Sequence, residues 1–150
     1  MRPTYETEAD RERERRVLDQ LARQWRCGFC QFPVYSAIDG LFLGRGGARA
    51  AASVVCRTCS SAQYPTLIIG QEKVDRARAA AELLKVKLFL AIRWTDALGW
   101  LSILAIDFEK RRVNRHDRPG DDKASEPGYE IPIDWFSFLN GWSENAKGEK

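Results

Sequence analysis

The stretch SVVCRTCSSAQYPTLIIGQEKV, Ser53–Val74, can be read in two ways. Cys56-Arg57-Thr58-Cys59 is either half of a four-thiolate metal site or the end of an extended strand. In a strand, residues two apart share a face, so Val55 and Arg57 point to one side and Cys56 to the other. The readings coexist if the chain turns near Thr58 and brings Cys59 round to Cys56.

The partner half would be Cys27-Gly28-Phe29-Cys30, separated from Cys56 by 25 residues. Two short turns can each aim a pair of thiolates at one ion, completing a tetrahedron with Zn–S near ~2.3 Å. With four Cys and one His in the chain, all-Cys ligation is the four-ligand option. The expectation is a structural zinc on Cys27, Cys30, Cys56 and Cys59, closed by protein ligands, pinning the first helix to the back of a sheet and activating no water. The spacer exceeds the roughly 15–20 residues of common ribbons, and no Gly follows either second Cys, so unligated buried thiols, a redox pair and an iron–sulfur cluster are the competing readings.

Upstream, Thr7 to Trp25 reads as a helix, with Glu12 and Arg16 at i,i+4 and Val17, Leu18, Leu21, Ala22 and Trp25 on one apolar stripe. FPVYSAIDGLFLGRGGARAAASVVCRTC reads as two extended segments joined by the turn Gly44-Arg45-Gly46-Gly47. No Lys-Ser/Thr follows these glycines, so they form a turn and not a phosphate cradle. Downstream, Gly70 to Val86 reads as a second helix, and KVKLFLAIRW and GWLSILAIDF as a second hairpin. The predicted order is helix, hairpin, helix, hairpin.

One domain of 150 residues is expected, with an N-terminal helix over 1–26, an α/β core over 27–109, a basic polar loop over 110–129 and an aromatic C-terminal segment over 130–150. A composition 44% hydrophobic and 30% charged, with five Trp and seven Phe, excludes disordered and collagen-like classes. No apolar run reaches the ~18–20 residues of a membrane span and the N-terminus lacks a signal-peptide core, so a cytoplasmic protein is expected. The net charge of +3 is mild. Basic residues nonetheless gather at Lys110, Arg111, Arg112, Arg115 and Arg118, which marks a candidate nucleic-acid face. His116 in this loop reads as solvent-exposed.

YSAIDGLFL followed by SVVCRTCSSAQYPTLIIGQEKVDRARAAAELLKVKLFLAIRWTDALGWLSI resembles the PD-(D/E)XK nuclease superfamily, particularly its small phage and bacterial members. The resemblance spans roughly Val34 to Ile106 and implies a restriction-endonuclease-like core with a central mixed sheet. It also implies two carboxylates on adjacent strands holding Mg²⁺, and a Lys two residues along that helps activate the attacking water. Asp39 stands where the first carboxylate belongs, with Ile38 at the motif's Pro. The Glu-x-Lys positions fall on Val55 and Arg57. Val55 cannot bind a cation, and Arg57 keeps its proton.

Three functional expectations follow. The first is a DNA-binding protein of nuclease-like fold, weak or inactive as a hydrolase, in which Arg57 grips phosphate as a bidentate donor. The second is an active Mg²⁺-dependent endonuclease using Asp39 with Glu72 from the following helix, assisted by Gln71 or Lys73. The third is a zinc-stapled interaction module whose Trp135, Phe136, Phe138 and Trp142 bind a partner protein. Each feature has a plainer alternative: Asp39-Gly40 as a turn, Glu72 and Lys73 as ordinary first-turn residues, and the aromatic segment docked on its own core.

Overall fold

The computed structural model describes residues 7–114 and 127–139. Helix α1 spans Glu8–Gln24 and starts at Thr7, whose side chain accepts from the Asp10 N–H while the Asp10 carboxylate takes the Thr7 N–H. This reciprocal cap satisfies two of the four orphan donors at a helix start. Its buried positions Glu14, Val17, Leu18, Leu21 and Ala22 recur at helical spacing.

Three antiparallel strands follow: β1 Gly28–Gln31, β2 Gly40–Gly44 and β3 Gly47–Cys56. Arg45-Gly46 closes the β2–β3 hairpin, and Gly47 sits at φ +115°, where an L side chain is strained. Strand β4, Thr66–Gly70, then runs into helix α2, Gln71–Leu84, and the chain returns as β5, Lys87–Arg93, parallel to β3. Strand β6, Leu98–Ser102, pairs antiparallel with β5. After helix α3, Phe108–Arg111, come β7, Arg112–Asn114, β8, Pro127–Pro132, and β9, Ser137–Phe138. The main sheet has the order β1-β2-β3-β5-β6-β9 and a second has β4-β8-β7. The architecture is mixed α/β around a central mixed sheet, as expected.

Helix α1 covers one face of the main sheet, packing Val17, Leu18, Leu21 and Ala22 on Phe42, Ala50, Ala52, Val54, Ala91 and Leu98. Helix α2 covers the other, with Ala77 and Ala81 against Ala51 and Leu88. The alanine run of β3 is what admits both helices, since small side chains on each face allow close approach. The second sheet and β5 share a third cluster that includes Leu67, Ile69, Ile92, Trp94, Ile131 and Phe136. Among the described residues no helix is long and apolar enough to cross a membrane.

Four sequence expectations change. Cys27-x-x-Cys30 is no knuckle turn, because Gly28 to Gln31 pair with β2 as an edge strand. Asp39-Gly40 is no turn either: Gly40 opens β2 opposite Ala52. Thr66 to Gly70, which the helix–hairpin–helix–hairpin order left without an element, form a strand. The supposed polar loop of 110–129 contributes α3, β7 and the start of β8. The described C-terminal residues dock on their own core: Phe136 is buried and stacks edge-on against Trp94 at 5.6 Å, Phe138 lies 5.8 Å from the same ring, and Leu139 is half-buried beside the α1 cluster. Of the aromatics expected to form a partner surface, Phe136 is core, Trp135 and Phe138 keep exposed faces, and Trp142 lies outside the described residues.

Gly40 is held by close approach. A Cβ there would lie 2.8 Å from the Cys30 carbonyl oxygen and 2.8 Å from a methyl of fully buried Leu18. Gly40→Ala is therefore expected to destabilise by about 1–3 kcal/mol, the usual cost of overpacking a core, read as a lower urea midpoint at unchanged m-value.

Asp96, in the β5–β6 turn, latches the loop after β3: it accepts from Ser61 N–H at 2.8 Å and from the Ser60 and Ser61 hydroxyls at 3.0 Å each. Desolvation pushes its pKa up, but these hydrogen bonds outweigh it and hold the carboxyl below the ordinary range. A depressed folded pKa means the stabilisation is present above the unfolded value of about 3.9 and is lost as pH falls through the folded one. Asp96→Asn is expected to melt below the parent at pH 7, with the gap closing under pH 4 in a Tm series.

Candidate active site

Strands β2 and β3 part company at Asp39. The Asp39 N–H still donates to the Ala52 carbonyl at 2.9 Å, but residues before it leave the sheet. Backbone groups two residues apart on a strand point the same way, so the Val54 N–H and C=O face the space that β2 has vacated. Unpaired, they would cost free energy. Two side chains take them: Val54 N–H donates to Asp39 Oδ2 at 2.6 Å, and Lys73 Nζ donates to the Val54 carbonyl at 3.0 Å. Lys73 Nζ also lies 3.4 Å from Asp39 Oδ2. The backbone of one residue, Val54, thus joins a carboxylate from just before β2 to an ammonium from the first turn of α2.

The pair is accessible. Asp39 keeps 18% of its side-chain surface and Lys73 44%. Beside it, continuing the Gly40↔Ala52 register by one places Ser53 opposite Asp39. Ser53 is buried on the α2 side of β3, between Ala51 and Val55, and its hydroxyl has no hydrogen-bond partner among the described residues. Val55 packs into the cluster under β4 and α2.

The other expected site residues are placed as follows. Gln71 is half-buried and Glu72 exposed in the first turn of α2, one residue from Lys73. Arg57 extends β3 by donating its N–H to the Arg93 carbonyl at 2.7 Å, and its guanidinium donates to the carbonyl of Ile68 on β4. Lys110, Arg111 and Arg112 lie on α3 and β7: Lys110 is 3.9 Å from Asp107, Arg112 is 3.6 Å from Glu109, and the Arg111 guanidinium lies 4.8 Å over the Trp135 ring. Arg112 aligns with Tyr129, and Tyr129 with Ile69, so this basic edge stands two strand spacings, roughly 10 Å, from the strand that feeds α2. Arg115 and His116 lie outside the described residues.

The four cysteines do not converge. Cys30 is level with Ala51, two strands away, and Cys56 is five residues further along β3, which separates their backbones by on the order of 20 Å. Cys27 packs against the α1 cluster and Cys59 against the cluster on the opposite face. Among the described residues no three Cys, His, Asp or Glu side chains group as a metal site, and the zinc staple does not fit this arrangement. Desolvation pushes the Cys56 thiol's pKa up, and Glu14 adds to it, against the opposing charges of Arg93, Arg13 and Lys73.

Two buried charges escaped the sequence reading. Glu14 is 6% exposed and accepts from Gln31 Nε2 at 3.1 Å and Arg11 Nη1 at 3.4 Å; Arg93 is 3% exposed at the end of β5. Glu14 could have been found: it stands three and four residues before Val17 and Leu18, the single acid within the apolar stripe of α1.

A family model described as "Phage putative PDDEXK endonuclease" matches residues 1–139. Among solved structures, the Archaeoglobus fulgidus Holliday junction resolvase Hjc superposes with a TM-score of 0.51 at 12% identity, over 90% of this chain and 98% of the resolvase. No curated protein matches the chain.

Proposed function

Since the chain belongs to this phage PDDEXK endonuclease family, we propose that it is a metal-dependent DNA endonuclease whose lysine has moved from strand β3 to helix α2. The observation that carries this reading is Lys73 Nζ, held at once by the Val54 carbonyl and Asp39. The superfamily motif needs a carboxylate and a lysine on one side of the strand pair. Here Val55 and Arg57 occupy the motif positions, and Lys73 restores the cation from the facing helix.

Asp39 offers the hard oxygen donor that Mg²⁺ prefers, and the orphaned Ser53 hydroxyl beside it favours an oxygen-lined, wet site over an apolar one. Asp39 would hold the cation, with Glu72 the nearest acid in sequence to Lys73 to complete it. The cation would supply charge neutralisation at the scissile phosphate. Lys73 supplies a positioned donor toward the attacking oxygen and the phosphate, and its anchor on Val54 fixes that position before substrate arrives. The basic edge of Lys110, Arg111 and Arg112 gives a second, sequence-independent hold on the DNA backbone.

The alternative, binding without cleavage, is favoured by a specific observation: Val55 stands at the second carboxylate position, and no three-ligand group forms among the described residues. One assay separates the two. Purified protein is incubated with plasmid, single-stranded and four-way-junction DNA, with and without Mg²⁺ or Mn²⁺, beside Asp39→Ala. Cleavage that requires the cation and Asp39 supports the endonuclease. DNA binding with no cleavage under any condition overturns it in favour of the binding module.

A further inference from the structure

Arg57 occupies the position at which the motif carries its lysine, and its side chain is turned away to a different task. Strand β4 is an edge of the second sheet, and the Ile68 carbonyl in its middle is taken by the Arg57 guanidinium from β3 of the main sheet. Two residues beyond Ile68 the chain reaches Gly70, which caps α2 with no side-chain hydrogen bond. Helix α2 therefore lacks a side-chain lock of its own at the end that bears Lys73, and the placement of that first turn depends on how β4 is held.

The connections close a ring. Arg57 leaves β3 and binds β4 at Ile68; five residues later Lys73 returns from α2 and binds β3 at Val54, three residues before Arg57. Both links run from a cationic side chain to a backbone carbonyl, so neither depends on the side chain at the receiving position. A guanidinium donates in a fixed plane and keeps its charge throughout the working pH range, which suits a spacer between two sheets.

We infer that Arg57 is a positioning residue for Lys73: it sets the height of the first turn of α2 above β3 and so the approach of Nζ to Asp39. This rests on the endonuclease reading for its kinetic consequence, but not for its structural one. Arg57 then does not grip phosphate, the role that its place in the motif implied.

The test uses the full chain with Arg57→Gln and Arg57→Lys. Displacement of a catalytic group by about 1 Å can cost about 10²-fold in rate. Arg57→Gln is expected to lower kcat by about that factor with KM and the salt slope of DNA binding unchanged, and Arg57→Lys, which still offers a donor to the Ile68 carbonyl, to recover most of it. In a Lys73→Met background Arg57→Gln should cost no further rate. A rise in KM with a flatter salt slope instead assigns Arg57 to phosphate binding and overturns the inference. A second readout is independent of cleavage: in the ¹³C-methyl NMR spectrum of reductively methylated protein, with Lys73 identified by Lys73→Arg, its resonance should move toward that of free lysine in Arg57→Gln at temperatures below unfolding. An unmoved resonance overturns the inference even if the protein proves not to cleave. Should Arg57→Gln fail to fold, the same comparison is made on Arg57→Lys, in which a smaller shift in the same direction is expected and an unmoved resonance again overturns it.

Discussion

Lys73→Met is expected to lose about 10²–10⁴-fold in DNA cleavage rate, the span usually removed with a positioned proton-transfer group, while keeping its fold. The two effects separate because of where Lys73 sits. Its side chain is 44% exposed and its ion pair with Asp39 is in contact with solvent, so the pair contributes no more than about 0.2–1 kcal/mol to stability. The Val54 carbonyl, left by the ammonium, is expected to take a water in its place. Circular dichroism and urea melts should overlay within that margin while single-turnover cleavage collapses. A Lys73→Met protein that cleaves at the parental rate would remove α2 from the chemistry.

Trp94→Ala carries the largest expected loss of stability, about 3–5 kcal/mol, against total stabilities of about 5–15 kcal/mol for domains of this kind. Trp94 is 1% exposed and stands where the two sheets meet. Phe136 packs edge-on against it, Phe138 tilts over it, and a Cβ at Gly99 would come within 3.2 Å of its ring. Removing the indole leaves a cavity lined by Phe136 and Phe138, and the lost contacts add to the lost burial. The urea midpoint should fall steeply, and near-ultraviolet dichroism should lose the contribution of the Trp94–Phe136–Phe138 cluster while that of Trp25 and Trp100 stays. A loss under 1 kcal/mol would show that the C-terminal segment contributes nothing to the junction.

The frame of this fold was legible and its additions were not. The stripe of α1, the Gly-rich hairpin, α2 and the β5–β6 hairpin announced themselves by period and by turn chemistry, and together they place β3 beside β5. The second sheet was hidden for physical reasons. Its strand β8, Pro127–Pro132, begins and ends in proline and contains glycine, and β7 has three residues, so neither carries an alternation long enough to read. The same holds for β1, whose four residues were masked by the Cys27-x-x-Cys30 pattern that overlaps them. A double Cys-x-x-Cys is a strong local pattern, but convergence is a property of register, and the register sets Cys30 and Cys56 far apart.

For the site, Asp39 and Lys73 could each be named from the sequence, whereas their meeting could not. It depends on β2 leaving the sheet one residue before Gly40, which in turn depends on the close packing of that glycine on Leu18 and Cys30. Glu72 drew attention as the acid of the helix, yet the neighbouring lysine is the side chain that turns inward to β3. Which of two adjacent helical residues points at the sheet is decided by about 100° of rotation, finer than any boundary drawn from hydrophobic period.

The backbone contact at Val54 has one more consequence, for which substitutions such a chain can accept. A side-chain anchor can be lost to a single codon change, but a main-chain carbonyl survives any substitution that leaves the strand extended. With Lys73 resting on that carbonyl, a substitution at position 54 or 55 that keeps the strand extended leaves the cation's hold in place, whereas position 57 stays constrained by the Ile68 carbonyl that its guanidinium takes.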